Sequence, residues 1–315
     1  MTVTREEALW AYRMILGREP ESEAVLAEQA DASSLHALRE KFFSSPEFAR
    51  NSPYLTVGLH MNRTSDPVKL DCSPQELQAM LDRIAVAWKA FGEDEPFWSV
   101  LTHDDYKRGS IEDRIDEFYA SGQGTAATAL AFLQRNEVPL DRMTRVIDFG
   151  CGVGRISLAL ASHFKQVTGV DVSEPHLEIA RAEAAKRGIG NVEFRGIQSI
   201  DGLDTLPKCD LLLTFIVLQH NPPPVIAATL RKLLRRVSPG GAALFQVPTF
   251  IAHYSFDPQT YLAEEQPQME MNALPQRDVF RIAAETGFHP LEVREDLNAA
   301  HANVVSQTFL FRRNV

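Results

Sequence analysis

The residues best placed for chemistry in this sequence are an acid and three alternating glycines at the end of an apolar run. Asp148 lies in that run, and Gly150, Gly152 and Gly154 follow it, with an amphipathic segment directly behind them. Glycines let the backbone approach a ligand closely, and the start of a helix offers N–H groups that no helical carbonyl accepts. This strand–turn–helix pattern predicts a nucleotide-binding turn.

A second acid, Asp171, closes the next apolar run, twenty-one residues after Gly150. A carboxylate at the tip of the second strand can accept hydrogen bonds from both hydroxyls of a ribose. Arg155 stands where the dinucleotide motif G-x-G-x-x-G would place its third glycine. The acids and the turn therefore favour a nucleoside ligand, and the arginine argues against a dinucleotide.

Further motifs follow the turn, and together they resemble the class I (Rossmann-like) S-adenosylmethionine (SAM) dependent methyltransferases. Each motif alone is common, but their joint order and spacing are specific from about Phe118 to the end of the sequence. The resemblance implies SAM as the cofactor and a doubly wound, mostly parallel α/β sheet of seven strands, here preceded by a small all-α module. The matching segments are residues 148–154, 170–173, 191–194, 209–215 and 233–245.

The resemblance also implies which residues hold SAM. The glycines would face its methionine and ribose, Asp148 would order the turn or bind the amino group, and Asp171 would bind the ribose. Val172 would pack on the adenine, and Gln198 stands where relatives place an acid for the adenine amine, with Asp201 as a shifted alternative. The full predicted set is Tyr119, Asp148, Gly150, Cys151, Gly152, Gly154, Arg155, Asp171, Val172, Gln198, Ser199, Thr214 and Phe215.

Methyl transfer to a hydroxyl also needs a base, and the sequence leaves several candidates open. His220 follows the fourth strand, where it could take a proton from the acceptor or only line the pocket. His253 and Tyr254 lie in a long segment after the fifth strand, and His103 follows an aromatic segment. An imidazole with a pKa of about 6.5 is suited to accepting a hydroxyl proton near neutrality.

Two further patterns do not predict separate chemistry. The adjacent acids Asp104 and Asp105 would point in different directions on regular structure, and with no further ligands apparent we predict no metal. Residues 221–224 resemble the Asn-Pro-Pro-aromatic motif of amino-group methyltransferases, but they come late after the fourth strand and end in Pro224. We interpret them as a helix start, with Asn221 as the N-cap and residues 225–237 helical.

The chain of 315 residues is longer than one average domain and can bury a large core. We predict a helical module over residues 1–50, a polar connector over 51–72, and a helical and aromatic cap region over 73–122. The SAM-binding core would occupy residues 123–315, with an insertion at 249–275 long enough to cover an active site.

The N-terminal helical module has its own resemblance. The patterns at residues 12–20 and 42–48 are similar to a helical module fused to bacterial glycosyltransferases and methyltransferases that build surface polysaccharides. The resemblance implies that residues 1–50 recruit a glycosyltransferase, although a generic helical extension would fit the same pattern.

Charge and cysteine usage narrow the partners and the compartment. Of the net charge of −10, residues 1–120 carry −9, from 22 acids and 13 Lys or Arg, which disfavours nucleic acids and anionic lipids. No apolar run is long enough to span a membrane, and the first residues lack a signal-peptide pattern. The three isolated cysteines favour a reducing compartment, so we expect a cytoplasmic protein.

These observations lead to one main function and two alternatives. The first is a SAM-dependent methyltransferase that O-methylates a sugar hydroxyl during bacterial polysaccharide or glycan biosynthesis. The second is an O- or N-methyltransferase of small natural products. The third is a scaffold that binds SAM without turnover and recruits a glycosyltransferase through its helical module.

Overall fold

The computed structural model describes residues 3–45, 47–48, 67–265, 269–299 and 304–315. The chain divides into two compact units, residues 1–63 with 300–303, and residues 64–299 with 304–315. Most of the predicted connector, at 51–66, lies outside the described residues.

The first unit is helical. Its helices α1 (Arg5–Ala11), α2 (Glu23–Ala30) and α3 (Leu35–Phe43) begin at Thr4, Ser22 and Ser34, whose side chains each accept a hydrogen bond from a backbone N–H of the first turn. Helix α1 continues as a π-helical turn that ends at Gly17, in the left-handed conformation. The helices enclose a small core of their own: Val3, Ala8, Tyr12, Leu26, Leu38 and Phe42.

The second unit is built on one seven-stranded sheet with the order β3-β2-β1-β4-β5-β7-β6. Neighbours among the first five strands pair in parallel, while β7 is antiparallel to both β5 and β6. The predicted fold class, a doubly wound sheet preceded by a helical region, is confirmed. The strands are β1 (Arg145–Phe149), β2 (Gln166–Asp171), β3 (Val192–Gly196), β4 (Cys209–Thr214), β5 (Val237–Ile251), β6 (Phe288–Asp296) and β7 (Val304–Arg313).

Helices cover both faces of the sheet because successive strand residues point to opposite faces. Ile147 and Leu212 belong to the apolar cluster on one face, and their neighbours Val146 and Leu211 belong to the cluster on the other. The helices of this unit are α4 (Pro74–Asp94), α5 (Ile115–Arg135), α6 (Arg155–Leu160), α7 (Glu174–Lys186), α8 (Pro223–Leu234), α9 (Pro258–Ala263) and α10 (Gln276–Glu285).

Three predicted boundaries differ from the structure. Helix α5 begins at Ile115, so the predicted boundary between residues 122 and 123 falls inside a continuous helix. Helix α8 ends at Leu234, and β5 already starts at Val237, inside the predicted helix. Strand β5 then runs on to Ile251, so the first three residues of the predicted insertion belong to the sheet.

The predicted N-cap of α8 is also wrong. The cap residue is Pro222, and the Asn221 side chain instead donates a hydrogen bond to the carbonyl of Val217, 2.9 Å away. Proline at the first turn still pre-sets the helical backbone angle, which explains why the helix begins there without a side-chain cap. Among the described residues, no helix combines the length and the hydropathy needed to cross a membrane.

Candidate active site

The strand order changes direction between β1 and β4, because β2 and β3 lie on one side of β1 and β4 and β5 lie on the other. In open α/β sheets, ligands bind at such a switch point, in the crevice beyond the carboxyl ends of the strands. The loops after β1, β2 and β4 therefore form the candidate active site.

The glycine turn after β1 needs its glycines for conformational reasons. Gly150, Gly152 and Gly154 have φ angles of 74°, 51° and 82°, in the left-handed region that side chains disfavour. A Cβ at Gly150 would overlap the side chain of Val217, and one at Gly152 would lie 2.7 Å from a methyl group of Val100. The loop after β4 and the segment that follows α4 therefore both pack closely against the turn.

Asp171, at the tip of β2, ties the second strand to this turn. One carboxylate oxygen accepts a hydrogen bond from the N–H of Gly152 at 2.8 Å, and the other accepts one from the N–H of Ser173 at 2.9 Å. Each oxygen keeps a second lone pair, so the half-buried carboxylate can still accept from a ribose. The structure brings Asp171 and the glycine turn together, as the sequence predicted.

Asp148 lies in a different environment, because its side chain is fully enclosed. Ser157 on α6 donates a hydrogen bond to it at 2.6 Å. Burial raises the pKa of Asp148 to about 6, while the Ser157 hydrogen bond and the nearby Arg155 charge act in the opposite direction. A carboxyl whose pKa is raised to about 6 therefore lies in β1, directly before the turn.

The other predicted cofactor residues take several positions around the turn. Tyr119 is buried and donates its hydroxyl to the carbonyl of Val153 at 3.1 Å, so it supports the turn from behind. Burial raises the pKa of the Cys151 thiol, which stays protonated. Thr214 is fully buried at the end of β4, and its hydroxyl has no hydrogen-bond partner.

The remaining predicted cofactor residues lie at the edges of the crevice. Gln198 is exposed, and its backbone carbonyl accepts a hydrogen bond from the side-chain amide of Gln78 on α4 at 3.0 Å. The Ser199 hydroxyl accepts one from the N–H of Gly202 at 3.1 Å. Val172 and Phe215 are half-buried, after β2 and β4 respectively.

His220 is the base candidate that the structure places beside the crevice, in a short 3₁₀ turn after β4. Its Nδ1 lies 2.8 Å from the carbonyl of Glu270, so this nitrogen carries the hydrogen and Nε2 holds the lone pair. The amide nitrogen of Gln219 lies 3.3 Å from Nε2. Burial lowers the pKa of His220, which keeps the ring neutral at neutral pH.

The other base candidates lie in less suitable surroundings. His253 is exposed, with a left-handed φ of 60°. Tyr254 donates its hydroxyl to the side-chain oxygen of Asn272 at 2.7 Å, and burial raises its pKa, so it is a poor base. His103 is exposed and accepts a hydrogen bond from the N–H of Asp105 at 3.3 Å.

The acids that suggested a metal are paired with cations. Asp104 lies 2.7 Å from Lys107, and Asp105 lies 3.4 Å from Arg114. Within the residues that the structure describes, no group of three or more His, Cys, Asp or Glu is arranged to hold a metal ion.

An aromatic wall in the predicted cap region of residues 73–122 faces His220. The Trp88 ring of α4 lies 5.4 Å from the His220 ring and 6.4 Å from the ring of His176, centre to centre. Phe91 lies 5.5 Å from Trp88, and Trp98 lies 6.3 Å from Phe91. The sequence predicts Trp88 only as part of this cap region, since nothing local distinguishes a core tryptophan from one that lines a pocket.

A buried amide network holds the loop after β4. Gln246 of β5 donates to the Gln219 side chain at 3.0 Å and to Ser306 at 2.6 Å, and its oxygen accepts from the N–H of Ile216 at 3.0 Å. Ile216 has a φ of 59°, a costly conformation for a β-branched residue. No sequence pattern marks glutamines for such a role, because it depends on the pairing of distant strands.

The segment after β5 supplies the carbonyl that orients His220. Glu270 is buried, accepts hydrogen bonds from Tyr261 at 2.5 Å and Asn272 at 3.0 Å, and has a pKa raised by burial. Arg83 of α4 donates to the carbonyl of Tyr261 at 2.6 Å and lies over its ring. The predicted insertion is therefore anchored to the helix that carries Trp88.

Comparison with known proteins agrees with this geometry. Residues 146–241 match the family model of a methyltransferase domain, a stretch that contains the glycine turn, Asp171 and His220. These residues form a class I, SAM-dependent methyltransferase domain. The predicted cofactor, SAM, is confirmed for this methyltransferase domain.

Curated relatives resemble about a third of the chain. The ubiquinone biosynthesis O-methyltransferase of Pseudomonas savastanoi pv. phaseolicola is 34% identical over 102 residues, which cover 32% of this chain and 43% of the relative. That of Pseudomonas aeruginosa is 32% identical over 119 residues, covering 38% and 47%. The chain thus spans less than half the length of the curated relatives it matches.

A solved structure extends the likeness beyond the methyltransferase domain, as a fold. The magnesium protoporphyrin IX methyltransferase of Synechocystis PCC 6803, crystallised with bound SAH, superimposes with a TM-score of 0.51 at 18% identity. The match covers 75% of this chain and all of that protein. At this identity the likeness concerns the architecture alone.

Proposed function

We propose that this chain is a SAM-dependent methyltransferase that methylates a hydroxyl of a ring-shaped small molecule bound against Trp88 and beside His220. The observation that supports this proposal most is the position of these two rings at the carboxyl ends of the strands. The Trp88 carbonyl accepts a hydrogen bond from Ser173, just after β2, whereas His220 follows β4. Strand β1 lies between β2 and β4, so the two rings approach each other beside the glycine turn.

The residues of the turn fit SAM. The left-handed glycines leave the turn without side chains of its own, and Asp171 keeps lone pairs for a ribose. When bound, SAM supplies a methyl group on a sulfonium sulfur, which is a good leaving group. The chain then has to align the acceptor and exclude water, and alignment alone can lower a barrier by about 7–11 kcal/mol in favourable cases.

His220 is the residue that we assign as the base. Its Nδ1–H is held by the Glu270 carbonyl, so Nε2 is the atom that can receive a proton. The Gln219 amide that occupies Nε2 is at 3.3 Å, a long hydrogen bond that an acceptor hydroxyl could replace. Because burial lowers the pKa of His220, the ring is unprotonated at neutral pH and ready to accept.

For the acceptor, we propose a sugar hydroxyl in bacterial glycan assembly. The aromatic row of Trp88, Phe91 and Trp98 supports a ring-shaped acceptor, because sugar faces pack on such side chains. The resemblance of residues 1–50 to modules fused with polysaccharide enzymes supports the glycan, with a glycosyltransferase as the partner of that module. We place the activity in the cytoplasm, in keeping with the free cysteines Cys72, Cys151 and Cys209.

A second acceptor class is a phenol. The observation in its favour is the name of the curated relatives, ubiquinone biosynthesis O-methyltransferases, which are 34% and 32% identical to this chain over 102 and 119 residues. A phenol ring would stack on Trp88 as readily as a sugar would. Because the hydroxyl of a phenol has a lower pKa than that of a sugar, His220 would remove its proton more easily.

Transfer of a labelled methyl group from SAM to a panel of nucleotide sugars, glycans and phenols distinguishes the two acceptor classes. With the acceptor found, we expect His220→Asn to lower kcat by about 10²- to 10⁴-fold, the range of general base catalysis, and to leave the Kd of SAM within about twofold.

His253→Asn is the matched comparison, since this exposed histidine should tolerate the same change. Full turnover by the His220 variant, or its loss only in the His253 variant, would overturn the assignment of the base. Binding of SAM without transfer to any member of the panel would favour a scaffold instead.

A further inference from the structure

A chain of four hydrogen bonds runs through buried groups beside the candidate base. The N–H of Ile216 donates to the side-chain oxygen of Gln246 at 3.0 Å, and the amide nitrogen of Gln246 donates to the side-chain oxygen of Gln219 at 3.0 Å. The amide nitrogen of Gln219 lies 3.3 Å from Nε2 of His220, whose Nδ1 lies 2.8 Å from the carbonyl of Glu270. Gln219, Gln246 and His220 are all buried.

Both ends of this chain are backbone groups, and they fix the direction of every hydrogen bond between them. The N–H of Ile216 can only donate, so Gln246 turns its oxygen toward it and its NH2 group toward Gln219. The oxygen of Gln219 is thereby held, and its NH2 group faces His220. At the other end the carbonyl of Glu270 can only accept, which leaves Nε2 of His220 without a hydrogen.

The acceptor hydroxyl and the Gln219 amide compete for the same atom, Nε2 of His220. A hydroxyl that gives its proton to Nε2 displaces the amide, whose NH2 group then needs another oxygen, because a buried donor without an acceptor is unfavourable. The need persists after the proton has moved, since Nε2 then carries a hydrogen and can no longer accept from Gln219. Rotating the amide would not help, because Gln246 holds its oxygen.

The oxygen that the Gln219 amide needs has to come from the acceptor, close to the reacting hydroxyl. The nitrogen of Gln219 and Nε2 of His220 are 3.3 Å apart, and two oxygens on neighbouring carbons of a ring are separated by a similar distance. We propose that Gln219 donates to an oxygen on the carbon next to the reacting hydroxyl, so that the site selects 1,2-diols over isolated hydroxyls. The proposal rests on the proposed function and adds a specificity-determining residue to it.

Pairs of ring isomers test this selection. In trans-1,2-cyclohexanediol and in catechol the two hydroxyls are neighbours, whereas in trans-1,3-cyclohexanediol and in resorcinol they lie one carbon further apart. The labelled-methyl assay gives kcat/KM for each compound, and the first or the second of these ring types responds according to whether the acceptor is a sugar or a phenol. For the ring type that responds, we expect the isomer with neighbouring hydroxyls to be preferred by about ten- to a hundredfold, the range for a buried donor left without an acceptor.

Gln219→Met removes the donor and keeps a side chain of similar length. In this variant the preference should fall to about twofold, with the loss confined to the isomer whose hydroxyls are neighbours. The rate on the other isomer should stay the same or rise, because no buried donor is displaced. Gln307→Met is the matched control: the Gln307 side chain accepts hydrogen bonds from Thr249 and Gln276, outside the chain that reaches His220, so the full preference should remain.

Equal kcat/KM for both isomers in the wild-type protein would overturn the inference. A Gln219→Met variant that slows both isomers by the same factor would overturn it as well, since a residue that only holds the loop behaves in this way. If Gln219→Met fails to fold, Gln219→Asn withdraws the amide from the acceptor and should lower the preference in the same direction.

A different result separates the inference from the proposed function. If a larger sugar or phenol is methylated while the diols are not, the comparison is made on that compound and its analogue without the neighbouring oxygen, with the same two outcomes. Absence of transfer to any compound would instead contradict the proposed function itself.

Discussion

Asp148 gives the candidate site a dependence on pH. Its carboxyl is enclosed beside the turn, and burial raises its pKa to about 6. Because the pKa is higher in the folded than in the unfolded state, the group favours folding at low pH, and this contribution is lost as the pH rises through 6. At neutral pH the protein thus keeps an ionised, buried carboxylate at a cost in stability, as functional sites often do.

We expect the affinity for SAM to fall as the pH drops from 7.5 to 5.5. Above pH 6 the negative charge of the enclosed Asp148 carboxylate can attract the ammonium group of SAM, and below it the protonated carboxyl carries no charge. Calorimetric titrations at three pH values measure the effect.

Asp148→Asn is the control for this titration. This variant should bind SAM more weakly at pH 7.5, and its affinity should no longer change with the protonation of residue 148. The same variant should unfold at a higher urea concentration at pH 7.5, because no charge is buried. An equal pH dependence in both proteins would assign the effect to another group, such as the buried His176.

At the scale of residues, the sequence predicted what depends on local spacing. Asp148 and Asp171 follow from their distances to the glycines, and the structure brings them to the same turn. Trp88, Gln246 and Glu270 could not be predicted, because each acts through a partner far away in the chain. A lone tryptophan or glutamine has the same spacing in a core as in a site.

The contact between α5 and α6 is the element that positions Arg155. The two helices touch at Gly122, where a Cβ would overlap the backbone carbonyl of Arg155. This closeness lets Ser121 and Thr125 reach the guanidinium from one face of α5. Glycine weakens a helix, so only the packing against α6 explains its presence in the middle of α5.

We expect Gly122→Ala and Gly124→Ala to have opposite effects on stability. At Gly122 the added methyl group must push the helices apart, which costs about 1–3 kcal/mol, and the shift of Arg155 should also weaken SAM binding. At Gly124, in the same helix, a Cβ meets nothing within 4 Å, so alanine should stabilise by up to about 1 kcal/mol. Urea unfolding measures both variants, and an equal response would mean that the contact at Gly122 is not tight.

The elements themselves were mostly predictable. Buried parallel strands appear as short apolar runs between turns. Such runs predict strands at 144–149, 167–171, 192–196, 209–215, 242–248, 288–294 and 304–311, which agree with β1 to β7 within a few residues, except at the start of β5. The errors lie where tertiary contacts override local preference. Strand β5 contains Pro239 and Gly240, residue types that usually end a strand. Its pairing with β4 nevertheless begins before them, at Val237, which lies opposite Cys209.

At the scale of the molecule, the chain consists of two compact units with separate apolar cores. The core of the first unit is drawn from the N-terminal helices alone, centred on the contact of Tyr12 with Phe42 at 4.9 Å. The predicted site residues all belong to the second unit. The function of each unit can therefore be tested separately.

We expect deletion of residues 1–63 to leave methyl transfer to a soluble acceptor within about threefold of the full chain, because the deletion removes one self-contained core. The Tm of the remaining unit should change little. Kinetics on the soluble acceptor and a thermal melt measure the two properties. A large loss of kcat on that acceptor would mean that the helical module contributes to catalysis, contrary to a recruiting role.

The position of β7 also affects the order in which the second unit can fold during its synthesis. Strand β7 lies between β5 and β6 and pairs with both, so β6 joins the sheet through a strand that is synthesised after it. Until residues 304–313 leave the ribosome, β6 has no partner and β5 has an open edge, which is the kind of surface that aggregates. Protection of the nascent chain should therefore matter most late in synthesis, when the parallel strands have formed and the antiparallel ones have not.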